Sequence, residues 1–379
     1  MTEDTASSTH PPLPPTTEEE RFAWLRLLRS RRVGISTFYR MLAEFGTAKA
    51  ALAALPEVAR AAGVNDYTPC PEGVIAAELN AGRKARARIV AIGEAGYPDL
   101  LAQISDAPPL LWMLGTSDVL EKPTIAIVGA RNASSLGLRM ARKLAVDLGA
   151  AGFCVVSGLA RGIDTAAHDA ALPVGTIAVQ AGGVDVAYPK ENEALAAKIV
   201  ENGLRISEQP MGLVPQARHF PPRNRIVSGI AQAVVVIEAA SRSGTLITTQ
   251  SALSQGREVF AVPGHPFDGR AGGCNALIRD GATLIRSAED VIDALQRTEP
   301  QQKLCEPAPV PTSQRQLPLR EAAVLHRQIL NKLGPSPLAE DQLIRDLAST
   351  AKEISPLLVS LELEGQIQRH AGGLVTRVV

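Results

Sequence analysis

The run Thr124–Val128 is apolar and rich in β-branched residues from end to end, so a strand formed there is buried on both faces. That requirement leaves few folds open, because a strand covered on both sides belongs inside a layered α/β sheet. Gly129 ends the run. Ser134-Ser135 then reads as a helix N-cap, and a helical pattern continues through Leu148. Strand, glycine turn and helix N-terminus make a corner where backbone N–H groups and the helix dipole favour an anion. Arg131 adds a positive charge at that corner.

The same unit recurs. Short apolar runs occupy 110–115, 124–129, 154–158, 176–183, 204–208, 233–239, 258–264 and 282–286, with helical patterns between most of them, notably 137–150, 164–171, 191–202 and 245–255. Strand–helix alternation with fully apolar strands predicts a parallel, doubly wound sheet over 95–299.

The flanks have different compositions. Residues 1–20 are polar and Pro/Thr-rich, without a basic or apolar leader pattern, and read as a disordered tail. Residues 21–94 carry helical periodicity. A Val33-Gly34-Ile35 turn between two short helices fits a helix-hairpin-helix or SAM-like unit, although with one glycine as its signal the plainer reading is a small all-α packing domain. Residues 300–319 are Pro/Gln-rich and read as a linker. The segment 320–379 gives helices 321–334, 338–347 and 351–364, then two short strands around Gly372-Gly373, a winged-helix-like pattern with equal numbers of basic and acidic residues.

Lys+Arg and Asp+Glu both number 39, so binding of nucleic acid would need a local basic patch and not a global one. No apolar run has the length of a membrane span. The four cysteines (Cys70, Cys154, Cys274 and Cys305) lie far apart, which predicts neither a disulfide framework nor a metal site and fits a cytoplasmic location.

Ligands of doubly wound sheets bind beyond the carboxyl ends of the strands. The segments that follow the strands are therefore the candidate site. They supply Gly129 and Arg131; Ser157 and Gly158, with Asp164 and His168 beyond; Tyr188-Pro189-Lys190; the RHFPPRNR loop with Arg218, Phe220, Arg223, Asn224 and Arg225; Ser243-Gly244-Thr245; and Pro263-Gly264-His265. Glycine and hydroxyl loops entering helices cradle phosphates, and Phe220 adds a stacking face. The basic row Arg131, Lys190, Arg223 and Arg225 suits a backbone of several phosphates. Plainer roles exist for some of these residues: Asp164 as a helix cap, His168 as a packed histidine, Glu208 and Glu238 as ion-pair partners of nearby arginines. Neither G-x-G-x-x-G nor G-x-x-x-x-G-K-[ST] nor G-x-S-x-G occurs, so dinucleotide, P-loop and nucleophile-elbow chemistry have no motif here.

The ordered motifs VGAR, VVSGLARGID with the following AH, GG–D–YP, ISE, FPPRNR, VVVIEA with SGTLIT, and VFAVPG with GCNALIRDGA resemble the DprA/Smf family, the DNA-processing proteins of natural transformation, over about 97–290. The resemblance implies an extended Rossmann-like, doubly wound, mostly parallel sheet, single-stranded DNA binding, protection of incoming DNA, loading of the RecA recombinase, a homodimer through the Rossmann-like domain, and no required enzymatic activity or cofactor. By motif it implies a DNA pocket of Arg131, Ser157, Gly158, Lys190, Phe220, Arg223 and Arg225, with Arg218 just ahead of the motif. A second class stays open. SGTLITT is similar to the PGG-x-GT loop of LOG-type phosphoribohydrolases, which predicts a nucleotide-cleaving enzyme. Against it, Ser243 replaces the second glycine and no Glu follows in 246–249.

Overall fold

The computed structural model describes residues 14–298, 319–334, 338–347, 366–370 and 374–377, with single positions or pairs between 349 and 362. Residues 1–13 of the 1–20 tail, the 300–319 linker up to 318 with Cys305, most of the 351–364 helix and the Gly372-Gly373 turn lie outside the described residues. The chain forms two compact units.

The larger unit is built on a nine-stranded sheet. Its elements in chain order follow three helices of the smaller unit, α1 (Glu18–Arg29), α2 (Ile35–Phe45) and α3 (Ala48–Ala61). They are α4 (Glu72–Lys84), β1 (Arg88–Ala91), α5 (Asp99–Ala102), β2 (Leu110–Gly115), β3 (Thr124–Gly129), α6 (Ser135–Ala150), β4 (Cys154–Ser157), α7 (Ile163–Ala171) and β5 (Thr176–Val179). Then come α8 (Glu193–Asn202), β6 (Leu204–Ser207), α9 (Phe220–Ile230), β7 (Ala233–Ile237), α10 (Thr245–Ser254), β8 (Glu258–Ala261), α11 (Gly272–Arg279), β9 (Thr283–Leu284) and α12 (Ala288–Thr298). The strand order is β1-β2-β6-β5-β4-β3-β7-β8-β9.

From β6 to β9 all pairing is parallel, and β1 and β2 close one edge antiparallel, with Trp112 opposite Ser207. The chain runs outward from β3 through β4, β5 and β6, then returns by α9 to start β7 on the other side of β3. The topological switch point is thus the β3/β7 pair, where Gly129 lies opposite Ile237. One face of the sheet buries Ile125, Ile127, Val155 and Phe260 under Leu144 and Leu148 of α6, Ile163 of α7 and Val291 of α12.

Two local expectations change. The helical reading carried through 94, but Arg88–Ala91 is a strand. Arg86 has φ of 58°, which breaks the helix before it, and Ile89-Val90 then pair with Trp112 and Leu111. The FPPRNR loop is the first part of α9: Pro221 and Pro222 sit in the first turn, where a missing N–H breaks no helical bond.

In the smaller unit, α1 opens with a capping box between Thr17 and Glu20, and Trp24 packs edge-on to Phe38 of α2 at 5.1 Å. The C-terminal elements are α13 (Leu319–Lys332), β10 (Leu338–Ala339), α14 (Glu340–Asp346), β11 (Ile367–His370) and β12 (Leu374–Arg377). Leu338–Ala339, read from the sequence as the start of a helix, pairs instead with β12 in a three-stranded sheet. Ile329, Leu343, Leu358 and Val375 form the core of this winged-helix part.

Candidate functional site

A cavity of about 1000 Å³ opens beyond the carboxyl ends of the strands around the switch point. Its walls are Gly129–Asn132 after β3, Gly158, Ala160 and Asp164 after β4, Tyr188 after β5, Phe220, Arg223, Asn224 and Val227 on α9, Ser243–Thr245 at the start of α10, and Asp268–Arg270 after β8. Phe220, Asn224 and Val227 share one face of α9 because they are spaced i, i+4, i+7.

The centre of this arrangement is a cation on an aromatic ring. The Arg131 guanidinium lies 5.0 Å from the centroid of Phe220, and the Tyr188 ring lies 5.8 Å from Phe220 at 51°. Arg131 and Tyr188 are exposed, so the group offers a positive charge and two apolar ring faces to solvent. At the start of α10, the Ser243 hydroxyl accepts the Thr245 N–H, and the Thr245 hydroxyl reaches the Gly129 carbonyl at 3.2 Å. These bonds fasten the SGT turn to the end of β3.

Arg223 plays a different part from Arg131. It is buried, and its Nη1 donates to the carbonyls of Gly158 and Val179, both at 2.5 Å. Gly158 has no room for a Cβ, which would overlap this guanidinium. Burial pushes Arg223 down to about 10, with the Asp164 charge opposing that shift and Arg131 adding to it. Asp164 is also buried. Its carboxylate accepts from the N–H of Gly158 at 3.1 Å and Ala160 at 3.3 Å, closing the turn in which Leu159 has φ of 55°. Burial raises its pKa, and Arg223 counters. His168 is packed: one ring nitrogen meets the Thr176 hydroxyl at 2.8 Å, and burial drives it down to about 3 with Arg223 adding to the effect.

The remaining sequence candidates fall in several places. Ser157 is fully buried and donates to the Ile127 carbonyl, so it supports the cavity floor without lining it. Arg225 points away from the cavity into a pairing with Glu208 at 2.5 Å and Asp106 at 3.3 Å. Lys190 and Arg218 are exposed and stand outside the lining, Arg218 donating to the His219 ring at 3.2 Å. Gly129, Arg131, Gly158, Phe220, Arg223, Asn224, Ser243, Gly244 and Thr245 all meet at the one cavity.

The α6 corner differs from its sequence reading. The position expected for an external anion is filled from within the chain. Glu238, at the end of β7 with φ of 53°, accepts the Ser134 N–H at 2.8 Å and bonds the Ser134 hydroxyl. Gly137 is cut back so that this carboxylate fits against the first turn of α6. Ser134 is the N-cap of α6, as its sequence position suggested, with its hydroxyl accepting the Gly137 N–H at 3.0 Å; Glu238 braces that cap and is not the partner of an arginine. It occupies the switch-point position where related folds seat a phosphate. Sequence reasoning placed Tyr188 in its Tyr188-Pro189-Lys190 segment without giving the ring a role, and passed over the Asp268–Arg270 wall, whose signal was the turn-rich HPFDGRAGG stretch.

No group of three or more metal-ligating side chains, and no helix long and apolar enough to cross a membrane, is present among the described residues.

Comparison with known proteins gives three family matches in chain order: a DprA-like N-terminal HHH domain at 18–81, DNA recombination-mediator protein A at 88–296, and a DprA winged helix domain at 312–373. The chain is 47% identical over 198 residues to DNA processing protein DprA of Streptococcus pneumoniae, covering 52% of this chain and 70% of that protein. It is 42% identical over 230 residues to DprA of Bacillus subtilis, covering 59% and 77%. The crystal structure of DprA from S. pneumoniae superposes with a TM-score of 0.57 at 34% identity, over 72% of this chain and 92% of that one. DNA processing protein A from Helicobacter pylori, described for its single-stranded DNA binding mode, superposes at 0.51 and 27% identity, over 56% and 97%. With the central match spanning all nine strands of the sheet and both flanking domains matched, the chain belongs to the DprA/Smf family.

Proposed function

We propose that this protein binds single-stranded DNA along the carboxyl edge of its sheet and acts as a recombination mediator in DNA processing during transformation. On this reading it protects the strand and loads a RecA recombinase, works as a homodimer through the sheet unit, and performs no chemistry on the DNA. The observation that carries the reading is the group formed by the half-buried Phe220 with the exposed Arg131 and Tyr188 in a cavity of about 1000 Å³. Ring faces stack bases without regard to sequence, and the cation meets the backbone. The H. pylori relative, described for its single-stranded DNA binding mode, supports the same ligand.

Arg131 is the exposed cation beside the rings, Arg270 lines the far wall paired with Asp268, and the exposed Lys190 and Arg218 extend the charge beyond the lining. Arg223 and Arg225 act from beneath, the first holding the cavity floor and the second anchoring α9.

Gel shifts with single- and double-stranded oligonucleotides across a salt series test the reading. Preference for the single strand is expected, with log affinity falling against log salt at a slope of about −2 if Arg131, Lys190 and Arg218 each neutralise one phosphate. Equal affinity for both forms, or no salt slope, overturns it. Incubation with a nucleoside monophosphate should release no free base. Release would favour the phosphoribohydrolase reading instead.

A further inference from the structure

The loop between β8 and α11 carries an aromatic side chain that the site described above does not use. Phe267 is 95% exposed, more than any other large hydrophobic residue among those described. Single exposed apolar residues are common on protein surfaces and need no explanation. Phe267 differs in how it is held.

Its loop is tied down at each end and across the middle. The Asn275 side chain bonds both the N–H and the carbonyl of Gly264, at 3.2 and 3.0 Å. The Phe267 N–H donates to His265 Nδ1, the Asp268 N–H to the His265 carbonyl, and the Ala271 N–H to the Asp268 carbonyl. The His265 ring rests 5.5 Å from the Phe267 ring at 40°. These bonds fix two successive turns whose tip presents a phenyl ring to water. A segment with that many constraints has already lost the conformational entropy that binding would otherwise cost.

The position of the loop matters equally. The three residues after Phe267 form one wall of the cavity that holds Arg131 and Phe220. Tyr188 follows β5 and Phe267 follows β8, so the sheet order puts β4, β3 and β7 between them. Four inter-strand spacings separate the two ends, about 19 Å, longer than one nucleotide. Charge does not oppose a strand there: the Asp268 carboxylate is held by the Arg270 N–H and by the Arg270 side chain at 3.2 Å.

We propose that Phe267 is a second base-stacking platform, which receives a nucleobase of the same strand after that strand leaves the Phe220 group. The proposal rests on the single-strand reading of the site. It adds a distinct subsite whose ligand is an unpaired base, and it gives the strand a direction across the sheet edge from β5 towards β8.

The test uses the full chain, oligo-dT, and an oligomer of the same backbone with abasic sites. Phe267→Ala should weaken oligo-dT binding roughly 5- to 100-fold and leave binding of the abasic oligomer unchanged. Phe267→Trp should retain affinity, and its fluorescence should be quenched by oligo-dT. The chain's two native tryptophans, Trp24 and Trp112, are buried, so this signal reports the loop. Wild-type affinity in Phe267→Ala overturns the proposal, as does an equal loss on both oligomers or an unquenched indole at saturation. In each of those cases the wild-type protein still binds DNA and the broader reading stands. Failure of the wild type to bind any single strand overturns both.

Discussion

Replacing Arg223 by Met keeps most of its stem and removes its charge, which isolates what the guanidinium does. Two hydrogen bonds to buried carbonyls are lost, each worth about 1.5–3 kcal/mol because the donor is charged. Asp164 is left buried without its countercharge, a situation that costs about 3–5 kcal/mol. These terms overlap, since the lost bonds and the stranded carboxylate are parts of one network, so the expected loss is about 4 kcal/mol. For a domain of this size that is roughly 8–16 °C in melting temperature. Urea and thermal unfolding of the full chain, followed by circular dichroism, measure it. The pH dependence carries a second signature. Burial raises the Asp164 pKa above its ordinary value of 3.8 in the fold, so only between 3.8 and the folded value does the native state bind this proton more readily than the unfolded chain. Its contribution favours the fold below 3.8 and is lost as pH rises through the folded value. Without Arg223 the folded value climbs further. The deficit of Arg223→Met should therefore be largest at neutral pH and shrink as pH falls towards 3.8. Adding Asp164→Asn should restore part of the loss at neutral pH. A deficit below about 1 kcal/mol, a deficit independent of pH, or a double mutant less stable than the single one would refute the network as described.

Other changes separate binding from folding. Arg131→Ala should leave the melting temperature nearly unchanged, because its side chain is exposed, and should flatten the salt slope of oligo-dT binding by about 0.7. Glu238→Ala removes the carboxylate that braces the Ser134 cap of α6 and should cost about 1–2 kcal/mol in urea unfolding. Glu208→Gln weakens the pairing that anchors Arg225 and should lower stability without changing the salt slope, which the same two assays resolve. Gly158→Ala drives a methyl into the Arg223 guanidinium, so it should destabilise the fold in the same direction as Arg223→Met, as read by thermal melting.

What the sequence revealed follows from range. Strands such as Thr124–Gly129 and Ala233–Ile237 are legible because burial on both faces makes every residue apolar, a local signal. The site's location follows from the same pattern, since loops after parallel strands share one edge. Long-range partners left no local trace. Glu238 meets Ser134 across 104 positions, and no spacing rule shows that a carboxylate will take the corner built by VGAR and its helix. The arginines of FPPRNR looked alike in sequence because their roles depend on which face of α9 each occupies. Pro-Pro hid that helix by suggesting a loop. Arg88–Ala91 was obscured by the charged helical pattern ahead of it, and its strand identity rests on a partner at 110–113.

The antiparallel edge also bears on how the chain is made. Strand β2 pairs with β6, yet β3, β4 and β5 are synthesised between them. At translation speeds of about 5–20 residues per second, roughly 90 residues separate the two, so β2 waits some 4–18 seconds for its neighbour. Its residues Leu110–Met113 are apolar and end fully buried. During that wait β1 is already available, pairing Arg88–Ala91 with Leu110–Met113, and it covers one of the two open flanks. The partner for the other flank of β2, Leu204–Ser207, is made only later, so an apolar strand edge is left without its native cover over that interval.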